Sequence, residues 1–399
     1  MKVLVSIFEE LVPLSGGGTP RISNIVRAFV KKGHQVYVAA AISKRKEDAI
    51  EELGCADFLP LLRVSRLDAK KMIKYLYAHP QNILQVIRYS RRIRPEMIVS
   101  HNSIAGFGAL LVRRFTPNTL TVLDLTDLLF QYLESYYGSG GLMRLIQIGG
   151  GSLEKKTILD SDKIITISNS MRNTLKDYGV NEERIEVVCD GVDTDIFKPV
   201  DARDLRDKYG KNSETVIIFQ GVIDPQDEPD IILDASKIVL KKHPRTSFWI
   251  IGDGAAVPGL KEKVSGSGLM KKFYFSGWVN QTELARYICA SDIGLVILPN
   301  TLSARGRVTL KEFEYWACGI PVVAPRLPAL EEVVKEGETG LFYEPDSSQS
   351  LAKRIIELIE NKSETERMGE KGRAIAKERF EWKKLANEFV KRCEDFERN

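Results

Sequence analysis

The stretch Pro299–Pro325 constrains the fold more tightly than any other part of the sequence. One apolar run of strand length, IGLVILP, ends at Pro299, and a second, GIPVVAP, ends at Pro325. Gly and Pro end both runs, as is usual for buried strands. Between them lies VTLKEFEYWACG, which predicts a short helix that begins just past the C-terminal end of the first strand. This order of strand, helix and strand predicts part of a parallel sheet.

The start of this predicted helix is suited to bind phosphate. A helix N-terminus offers several unpaired backbone N–H groups and the positive end of the helix dipole. Glu314 lies one turn inside the helix, where its carboxylate can accept two hydrogen bonds from a ribose diol. Phosphate at the helix start and an acid for the diol together indicate a nucleoside diphosphate.

Length and composition indicate a globular protein of two domains. The chain has 399 residues, of which 43% are hydrophobic and 28% are charged, enough for two sizeable cores. No apolar run approaches the length of a membrane span, and the start MKVLVSIFEELVP acquires acids too early for a signal peptide. We therefore expect a cytoplasmic protein.

Charge and cysteine usage argue against two further classes of protein. The net charge of +4 is too small to indicate a nucleic-acid partner. The five cysteines are widely scattered, with no CxxC pair and no His in metal-ligand spacing. We expect reduced, buried thiols and no metal site.

The first half of the chain alternates strands with helices. After KVLVSI come Gly16, Gly17 and Gly18, then a helix and the strand in GHQVYVAAA. The glycines lack the spacing of a dinucleotide fingerprint, so a ligand-binding loop and an ordinary turn both stay open. Further strands are predicted, with helices between them, at MIVSH, TLTVLDL, KIITIS and IEVVCDG. The pattern indicates an open, mostly parallel sheet.

Polar residues follow the C-terminal ends of these strands, where ligands bind in such sheets. His101 ends MIVSH, while Asp124 and Asp127 end or follow TLTVLDL. A buried histidine that only serves packing is the alternative for His101.

A basic segment runs from Leu62 to Pro95, with nine Lys or Arg residues against Asp68, and His79 precedes Pro80 in a predicted loop. Its apolar residues give it amphipathic character, which is typical of helices that lie on anionic lipid. It indicates either peripheral contact with the inner membrane face or a solvated outer surface.

A linker near residue 200, CDGVDTDIFKPV followed by a polar run, separates the two halves. We predict a first domain at 1–198, with a crossover helix at about 380–399, and a second domain at 199–379. The second half has strand-length runs in chain order at TVIIFQG, TSFWIIGDG, KFYFSGW, IGLVILP, GIPVVAP and TGLFYEP.

Several motifs carry a resemblance to a known family. In chain order they are GGGTPR, GHQV, SHNS, TISNSM, CDGVDTDIFKP, IIGDG, FSGWV and FEYWACGIPVVAP. Together they resemble the retaining family 4 glycosyltransferases of the GT-B fold, the glycosyl transferases group 1. The resemblance covers nearly the whole chain. It implies an α/β fold of two doubly wound Rossmann-like domains facing across a cleft, with the acceptor side in the first domain and the nucleotide sugar bound by the second.

The resemblance also implies a donor site. The family has two glutamates eight positions apart before an ACG-P-V-V run, and Glu314 matches the second, which holds the donor ribose. Val308, Thr309 and Leu310 match the positions whose backbone amides meet the diphosphate in the family. Gly16 and Gly17 match its paired glycines, and His101 matches a histidine that contacts the donor sugar. His101 and Asp127 are the candidate catalytic residues, Asp127 as an acceptor-side or structural group.

Three positions depart from the family pattern. Gly306 stands where the first glutamate is usual, and Val222 and Asp227 stand where an arginine and a lysine usually bind the phosphates. We hypothesise that cations in SARGRVTLK replace them, namely Arg305, Arg307 and Lys311. Solvent-exposed arginines in a loop are the alternative.

The resemblance implies metal-independent, retaining transfer of a hexose from a nucleotide-sugar donor to a glycan or lipid-linked acceptor. The nucleotide sugar is a substrate, and no cofactor is expected. One alternative is a non-catalytic partner or scaffold of a glycosyltransferase, which the lost charges favour. Another is a sugar-nucleotide epimerase, against which the order of the motifs argues.

Overall fold

The computed structural model describes residues 1–12, 18–63, 72–132, 141–209 and 214–398. These residues form two compact units. The first comprises Met1–Cys189 and Trp382–Asn399, and the second comprises Asp190–Glu381. The sequence interpretation divided the chain after residue 198, whereas residues 190–198 group here with the second unit.

The described part of the first unit has one parallel sheet with helices between its strands. The strands are β1 Lys2–Val12, β2 Gln35–Ile42, β3 Asp57–Leu61, β4 Met97–His101, β5 Leu120–Leu125, β6 Lys163–Thr166 and β7 Ile185–Val187. The helices that follow them in the first 189 residues are α1 Gly18–Lys31, α2 Lys46–Leu53, α3 Met72–Ile93, α4 Asn102–Arg113, α5 Gly141–Asp160 and α6 Asn169–Asp177.

The strand order of this sheet, β3-β2-β1-β4-β5-β6-β7, reverses between β1 and β4. Its central strands are buried runs of aliphatic residues, because helices cover both faces of a parallel sheet. In the parallel register of β4 and β5, His101 lies opposite Asp124. The fold therefore brings these two residues together at the C-terminal edge of the sheet.

One local prediction in this unit was wrong, and one strand was not predicted. His79 and Pro80 lie inside α3 and not in a loop. The helix continues beyond the proline, and its later residues Val86, Tyr89 and Ile93 pack into the core. This packing offsets the backbone hydrogen bond that Pro80 removes. The strand DFLPL was not predicted, because it is short and contains a proline; as β3 it lies at the edge of the sheet, where a proline is tolerated.

The second unit contains all six strands predicted for the second half. They are β8 Thr215–Val222, β9 Thr246–Asp253, β10 Phe273–Phe275, β11 Ile293–Leu295, β12 Val322–Pro325 and β13 Gly340–Tyr343. Its described helices are α7 Arg203–Lys208, α8 Asp230–Lys242, α9 Val257–Gly266, α10 Gln281–Cys289, α11 Leu302–Arg305, α12 Leu310–Ala317, α13 Pro328–Val333, α14 Ser348–Glu360 and α15 Lys362–Arg379. The last helix, α16 Trp382–Arg398, belongs to the first unit.

The strand order of the second sheet, β10-β9-β8-β11-β12-β13, reverses between β8 and β11. All its neighbouring strands are parallel. Ligands bind in doubly wound sheets outside the strand C-termini at such a reversal. The loops after β8 and β11 start at this point, and the second of them leads into α12. Two such sheets confirm the predicted α/β fold of two Rossmann-like domains.

Candidate functional site

The N-terminus of α12 is the helix start that the sequence predicted. Thr309 is the N-cap residue, and its hydroxyl accepts a hydrogen bond from the backbone N–H of Lys311 at 3.2 Å. Glu312 closes the capping box, because its carboxyl accepts from the backbone N–H of Thr309 at 2.7 Å. Burial raises the pKa of Glu312 to about 7. The preceding residue Val308 is buried, and Leu310 is half-buried.

Lys311 places a largely buried basic side chain at this helix start. The residue is only 9% exposed, and its Nζ lies 5.6 Å from the centre of the Phe219 ring. A Cβ atom at Gly221 would lie 3.6 Å from Nζ, so the amine lies against the backbone at the end of β8. Within the described part of the chain, Nζ has neither a hydrogen bond nor a salt bridge. The charge of Lys311 acts on the buried carboxyls of Glu312 and Glu314, but burial raises the pKa of both, so these acids neutralise it only in part. A largely buried cation that is neutralised only in part favours an anionic ligand.

Glu314 lies one turn further into α12 and is 7% exposed. Gln220, at the end of β8, donates a hydrogen bond from Nε2 to its Oε2 at 2.5 Å. Burial raises the pKa of Glu314 to about 8, although the hydrogen bond from Gln220 and the charge of Lys311 oppose the increase. The end of β8 therefore positions both Lys311 and Glu314.

The loop after β8 carries an acid that pairs with one of the predicted cations. Asp227 ends a short 3-10 helix at Pro225–Asp227 and is 2% exposed. The guanidinium of Arg307 lies 3.6 Å from its carboxylate, with the arginine side chain 14% exposed. Position 227 therefore carries a negative charge where the family usually has a lysine, and Arg307 lies beside it.

The remaining residues of the predicted cluster differ from Arg307 in their surroundings. Arg305 is exposed and donates a hydrogen bond from Nε to Asn300 at 2.9 Å. Gly306 is the buried C-cap of α11, and Val222 is the last residue of β8. The three basic residues therefore differ in exposure: Lys311 and Arg307 are largely buried, whereas Arg305 is on the surface.

In the first unit, His101 belongs to a buried hydrogen-bonded group. Its Nδ1 lies 2.8 Å from Asp124, and Asp124 also accepts a hydrogen bond from Arg21 Nε at 2.9 Å. Burial opposes the charged imidazole, but the hydrogen bond and charge of Asp124 raise the pKa of His101 above its usual value. Burial likewise opposes ionisation of Asp124, yet Arg21 and His101 lower its pKa. The three residues therefore form an ion-paired group.

The other imidazole nitrogen of His101 faces the start of α1. A Cβ atom at Gly18 would lie 2.4 Å from Nε2, so only glycine allows the ring to approach this closely. The predicted glycines Gly16 and Gly17 lie outside the described residues. Gly18, the third glycine of the loop, is the one for which the structure supplies a steric reason.

Asp127 lies beyond the end of β5 and is half-buried. Its backbone N–H donates to the side-chain oxygen of Asn102 at 3.3 Å. Asn102 has a φ of 61° and also accepts from Thr126, so it holds the loop after β5 against the first turn of α4.

Sequence reasoning missed four of these contacts. Arg21 was not singled out, and Asp124 was noted only for its place at a strand end. Gln220 carried no motif, and the pairing of Arg307 with Asp227 joins distant segments. Register was the one usable signal, because parallel neighbouring strands ending in SH and LDL place His101 and Asp124 side by side.

A separate cavity of about 240 Å³ lies elsewhere in the first unit. It is lined by Phe130, Gln131, Gln147, Gly151, Glu154, Lys155 and Tyr178. None of these residues was predicted to be functional. Burial raises the pKa of Glu154 to about 7, and its carboxyl accepts hydrogen bonds from Ser103 and from the backbone of Leu129.

The described residues contain neither a metal-binding cluster nor a membrane-spanning helix. No cluster of three or more His, Cys, Asp or Glu side chains is arranged to hold a metal ion there. Every helix in the same ranges is too short or too polar to cross a bilayer.

Both halves of the chain match family profiles. Residues 15–196 match the profile described as Glycosyltransferase Family 4, and residues 201–375 match Glycosyl transferases group 1. An uncharacterized glycosyltransferase of Methanocaldococcus jannaschii is 28% identical over 391 residues, covering 96% of this chain and 95% of that protein. A D-inositol 3-phosphate glycosyltransferase of Rhodococcus opacus is 28% identical over 243 residues, or 59% of this chain and 53% of that protein.

The match spans about half the length of the first curated relatives. Among solved structures, Anabaena HepE in complex with UDP-glucose superimposes with a TM-score of 0.76 at 18% identity. The superposition covers 99% of this chain and 100% of that one. At this identity the likeness establishes the fold.

Proposed function

The chain belongs to the family 4 glycosyltransferases, glycosyl transferases group 1, and from this premise we propose that it transfers a hexose from a nucleotide-sugar donor to a hydroxyl group of a glycan or lipid-linked acceptor. We propose further that the transfer retains the anomeric configuration and needs no metal ion. UDP-glucose, the ligand in the structure of HepE, is the first donor to test.

The largely buried side chain of Lys311 is the observation that carries this proposal. Transfer of a sugar from a nucleotide leaves a diphosphate, and stabilising its developing charge is the main electrostatic task of the site. Lys311 supplies a cation in low-dielectric surroundings, where a charge interaction is stronger than in water. The N-terminus of α12 adds its dipole and backbone N–H groups at the same place.

Glu314 supports the nucleotide part of the proposal. Its carboxyl lies one turn from the helix start, a distance that suits a ribose attached to the diphosphate. As a carboxylate it would accept both ribose hydroxyls, with Gln220 holding it in place. In the unliganded protein at neutral pH the raised pKa of Glu314 favours the protonated form, so ribose binding would release a proton.

His101 is our candidate for contact with the donor sugar. Its Nδ1 is held by Asp124, which orients the ring and leaves Nε2 for another partner. A positively charged imidazole can donate from Nε2 to a sugar hydroxyl. Asp127 stays an acceptor-side candidate on the strength of its place beyond β5.

The proposed reaction forms a bond from the acceptor oxygen to the anomeric carbon as the bond from that carbon to the phosphate oxygen breaks. The acceptor approaches on the face from which the diphosphate departs. The departing phosphate oxygen takes the acceptor proton, so the protein supplies neither a nucleophile nor an obligatory base. Lys311 and the start of α12 would stabilise the leaving group, while His101 orients the sugar.

A non-catalytic partner of another glycosyltransferase is the second candidate. The loop after β8 favours it, because Asp227 and Val222 supply no cation for a leaving diphosphate. A protein of this kind would keep the fold and turn over no donor.

Release of nucleotide from a panel of nucleotide sugars tests the proposal. We expect the wild-type protein to hydrolyse one donor slowly, and Lys311→Met to lose most of this activity and of the UDP affinity. The matched control is Lys261→Met, which removes an exposed lysine of α9 in the same unit. No turnover and no nucleotide binding by the wild-type protein would favour the non-catalytic partner.

A further inference from the structure

Asp227, in the loop after β8, and Arg307, before α12, form a pair of opposite charges. Asp227 and Arg307 are 80 positions apart in sequence, yet their charged groups lie 3.6 Å from each other. Both side chains are largely withdrawn from solvent, at 3% and 14% exposure. Burying a single charge is strongly unfavourable, so the pairing offsets part of the cost of burying each residue.

The position of Asp227 is determined by its local backbone. Asp224 begins the 3-10 helix, Pro225 follows it, and the N–H of Asp227 donates to the carbonyl of Asp224 at 3.0 Å. Glu228 then turns the chain with a φ of 48°. The Asp224 side chain accepts a hydrogen bond from the backbone of Ala255 at 3.0 Å, which fixes the loop to the segment after β9. Asp227 is therefore held in a hydrogen-bonded turn.

Arg307, in contrast, has a long side chain on the segment between two short helices. It lies two positions before Thr309, the N-cap of α12. An arginine has five N–H donors in a planar fork, so one guanidinium can face a carboxylate and a phosphate oxygen at once. An arginine ordered before its ligand arrives loses less conformational entropy on binding.

We infer that Arg307 binds the donor diphosphate and that Asp227 is the positioning residue that orders Arg307 for this contact. The family's cation at position 227 is thus replaced by an acid that holds an arginine from another segment. The inference rests on the proposed function, because it needs a nucleoside diphosphate at the start of α12. It deepens that function by assigning a phosphate ligand and the residue that orients it.

Calorimetric titration with UDP tests the inference on the full chain. Loss of a charge-assisted bond predicts that Arg307→Ala weakens UDP binding about ten- to hundredfold. Asp227→Asn should weaken it about three- to tenfold, because Arg307 is no longer ordered. In the Arg307→Ala background, Asp227→Asn should have no further effect, since its influence passes through Arg307. Asp227→Glu keeps the charge and should restore most of the affinity.

The matched control is Arg206→Ala, which removes another partly buried ion pair, the 2.7 Å contact with Asp292 at the opposite edge of the same sheet. Both arginine variants should lower the melting temperature by similar amounts, but only Arg307→Ala should lose UDP affinity. If Asp227→Asn folds poorly, the UDP affinity of Asp227→Glu is compared with that of the wild-type protein instead.

Three results would overturn the inference. Unchanged UDP affinity in Arg307→Ala would exclude the phosphate contact. Tighter UDP binding in Asp227→Asn would mean that the acid competes with the ligand for Arg307 instead of positioning it. Failure of the wild-type protein to bind UDP or any other nucleoside diphosphate would remove the proposed function as well, an outcome that the wild-type titration reveals by itself.

Discussion

Protonation of Glu314 should contribute strongly to the pH dependence of nucleotide binding. Its pKa in the unliganded protein is raised to about 8 by burial, and Gln220, Lys311 and Glu312 are the groups that act on it there. A ribose diol donates two hydrogen bonds and needs the carboxylate form. Binding must therefore remove a proton at neutral pH, which weakens affinity by up to about tenfold for each pH unit below 8.

We expect UDP affinity to rise from pH 6.5 to 8 and then level off, apart from the titration of the ligand itself. Glu314→Gln should weaken binding and remove the part of the pH dependence that belongs to Glu314, whereas the titration of Glu312 stays. Calorimetry in buffers of different ionisation enthalpy would count the released proton. Unchanged affinity in Glu314→Gln, together with a lower melting temperature, would make Glu314 a structural residue.

The same carboxyl affects stability in the opposite direction. Its folded pKa lies above the unfolded value of 4.5, so the folded state holds a proton that the unfolded state has lost between these two pH values. The contribution of Glu314 to the free energy of unfolding therefore falls as pH rises towards 8 and is constant above it. The pH that favours nucleotide binding is thus the pH at which this residue stabilises the fold least.

At the scale of single elements, helix α5 contains three successive glycines with different surroundings. A Cβ atom at Gly150 would lie 2.0 Å from the Phe130 ring, whereas Cβ atoms at Gly149 and Gly151 would meet nothing within 4 Å. Only Gly150 therefore has a steric reason to be glycine.

We expect Gly149→Ala and Gly151→Ala each to raise the free energy of unfolding by about 0.5–1 kcal/mol, since alanine restricts the unfolded chain and favours helix. Gly150→Ala should lower it, because Phe130 must move. Urea titration of the three variants, which differ only in position along one helix, measures the contrast. Equal effects at all three positions would contradict the packing of Phe130 against α5.

Helix α3 carries the described part of the basic segment. Arg88 and Arg91 are exposed on it, Leu84 is 52% exposed, and the guanidinium of Arg91 lies 5.4 Å from the ring of Phe115, itself 55% exposed. Residues 64–71 of the segment lie outside the described residues. Basic groups beside exposed apolar side chains suit an anionic lipid surface, and we propose peripheral membrane contact here.

We expect the protein to sediment with anionic vesicles and not with neutral ones. Each basic residue near such a surface contributes about 1 kcal/mol at moderate ionic strength, so the double variant Arg88→Glu, Arg91→Glu should bind at least about tenfold more weakly. The control with the same net charge is Lys261→Glu, Lys353→Glu, at exposed positions of the second unit. Equal, negligible binding to both vesicle types would leave α3 as an ordinary solvated surface.

For the whole molecule, the return of α16 to the first unit makes that unit discontinuous in sequence. Phe389, Val390 and Cys393 are fully buried in this helix, and the guanidinium of Arg21 lies 5.5 Å from the Phe389 ring. The second unit is one continuous segment, Asp190–Glu381. Stability of the first unit should therefore depend on the last helix of the chain, and that of the second should not.

Phe389→Ala should lower the unfolding free energy of the first unit by about 3–5 kcal/mol, because it removes a buried aromatic ring. Lys384→Ala, at an exposed position of the same helix, should change it little. Two unfolding transitions would be followed by calorimetry, and the fragment 190–381 would identify the second. A fall in that second transition in Phe389→Ala would contradict the assignment of α16 to the first unit.

The elements of the molecule were largely readable from local sequence. Strands such as TVIIFQG and the helix in VTLKEFEYWACG follow from apolar runs, periodicity and turn residues, which are properties of neighbouring positions. DFLPL and the proline of α3 were misjudged because a sheet edge and a packed helix face outweighed local preference. The motifs identified the family, because they record spacing along the chain.

The sequence by itself determined two parallel sheets, the helix within VTLKEFEYWACG and the place of Glu314 one turn inside it. Only the tertiary structure decided which charges meet. Asp227 and Arg307 are paired, Lys311 makes no salt bridge among the described residues, and His101 shares Asp124 with Arg21. The reason is physical: secondary structure depends on neighbours in sequence, whereas burial and ion pairing depend on groups that the parallel sheets bring together from distant segments.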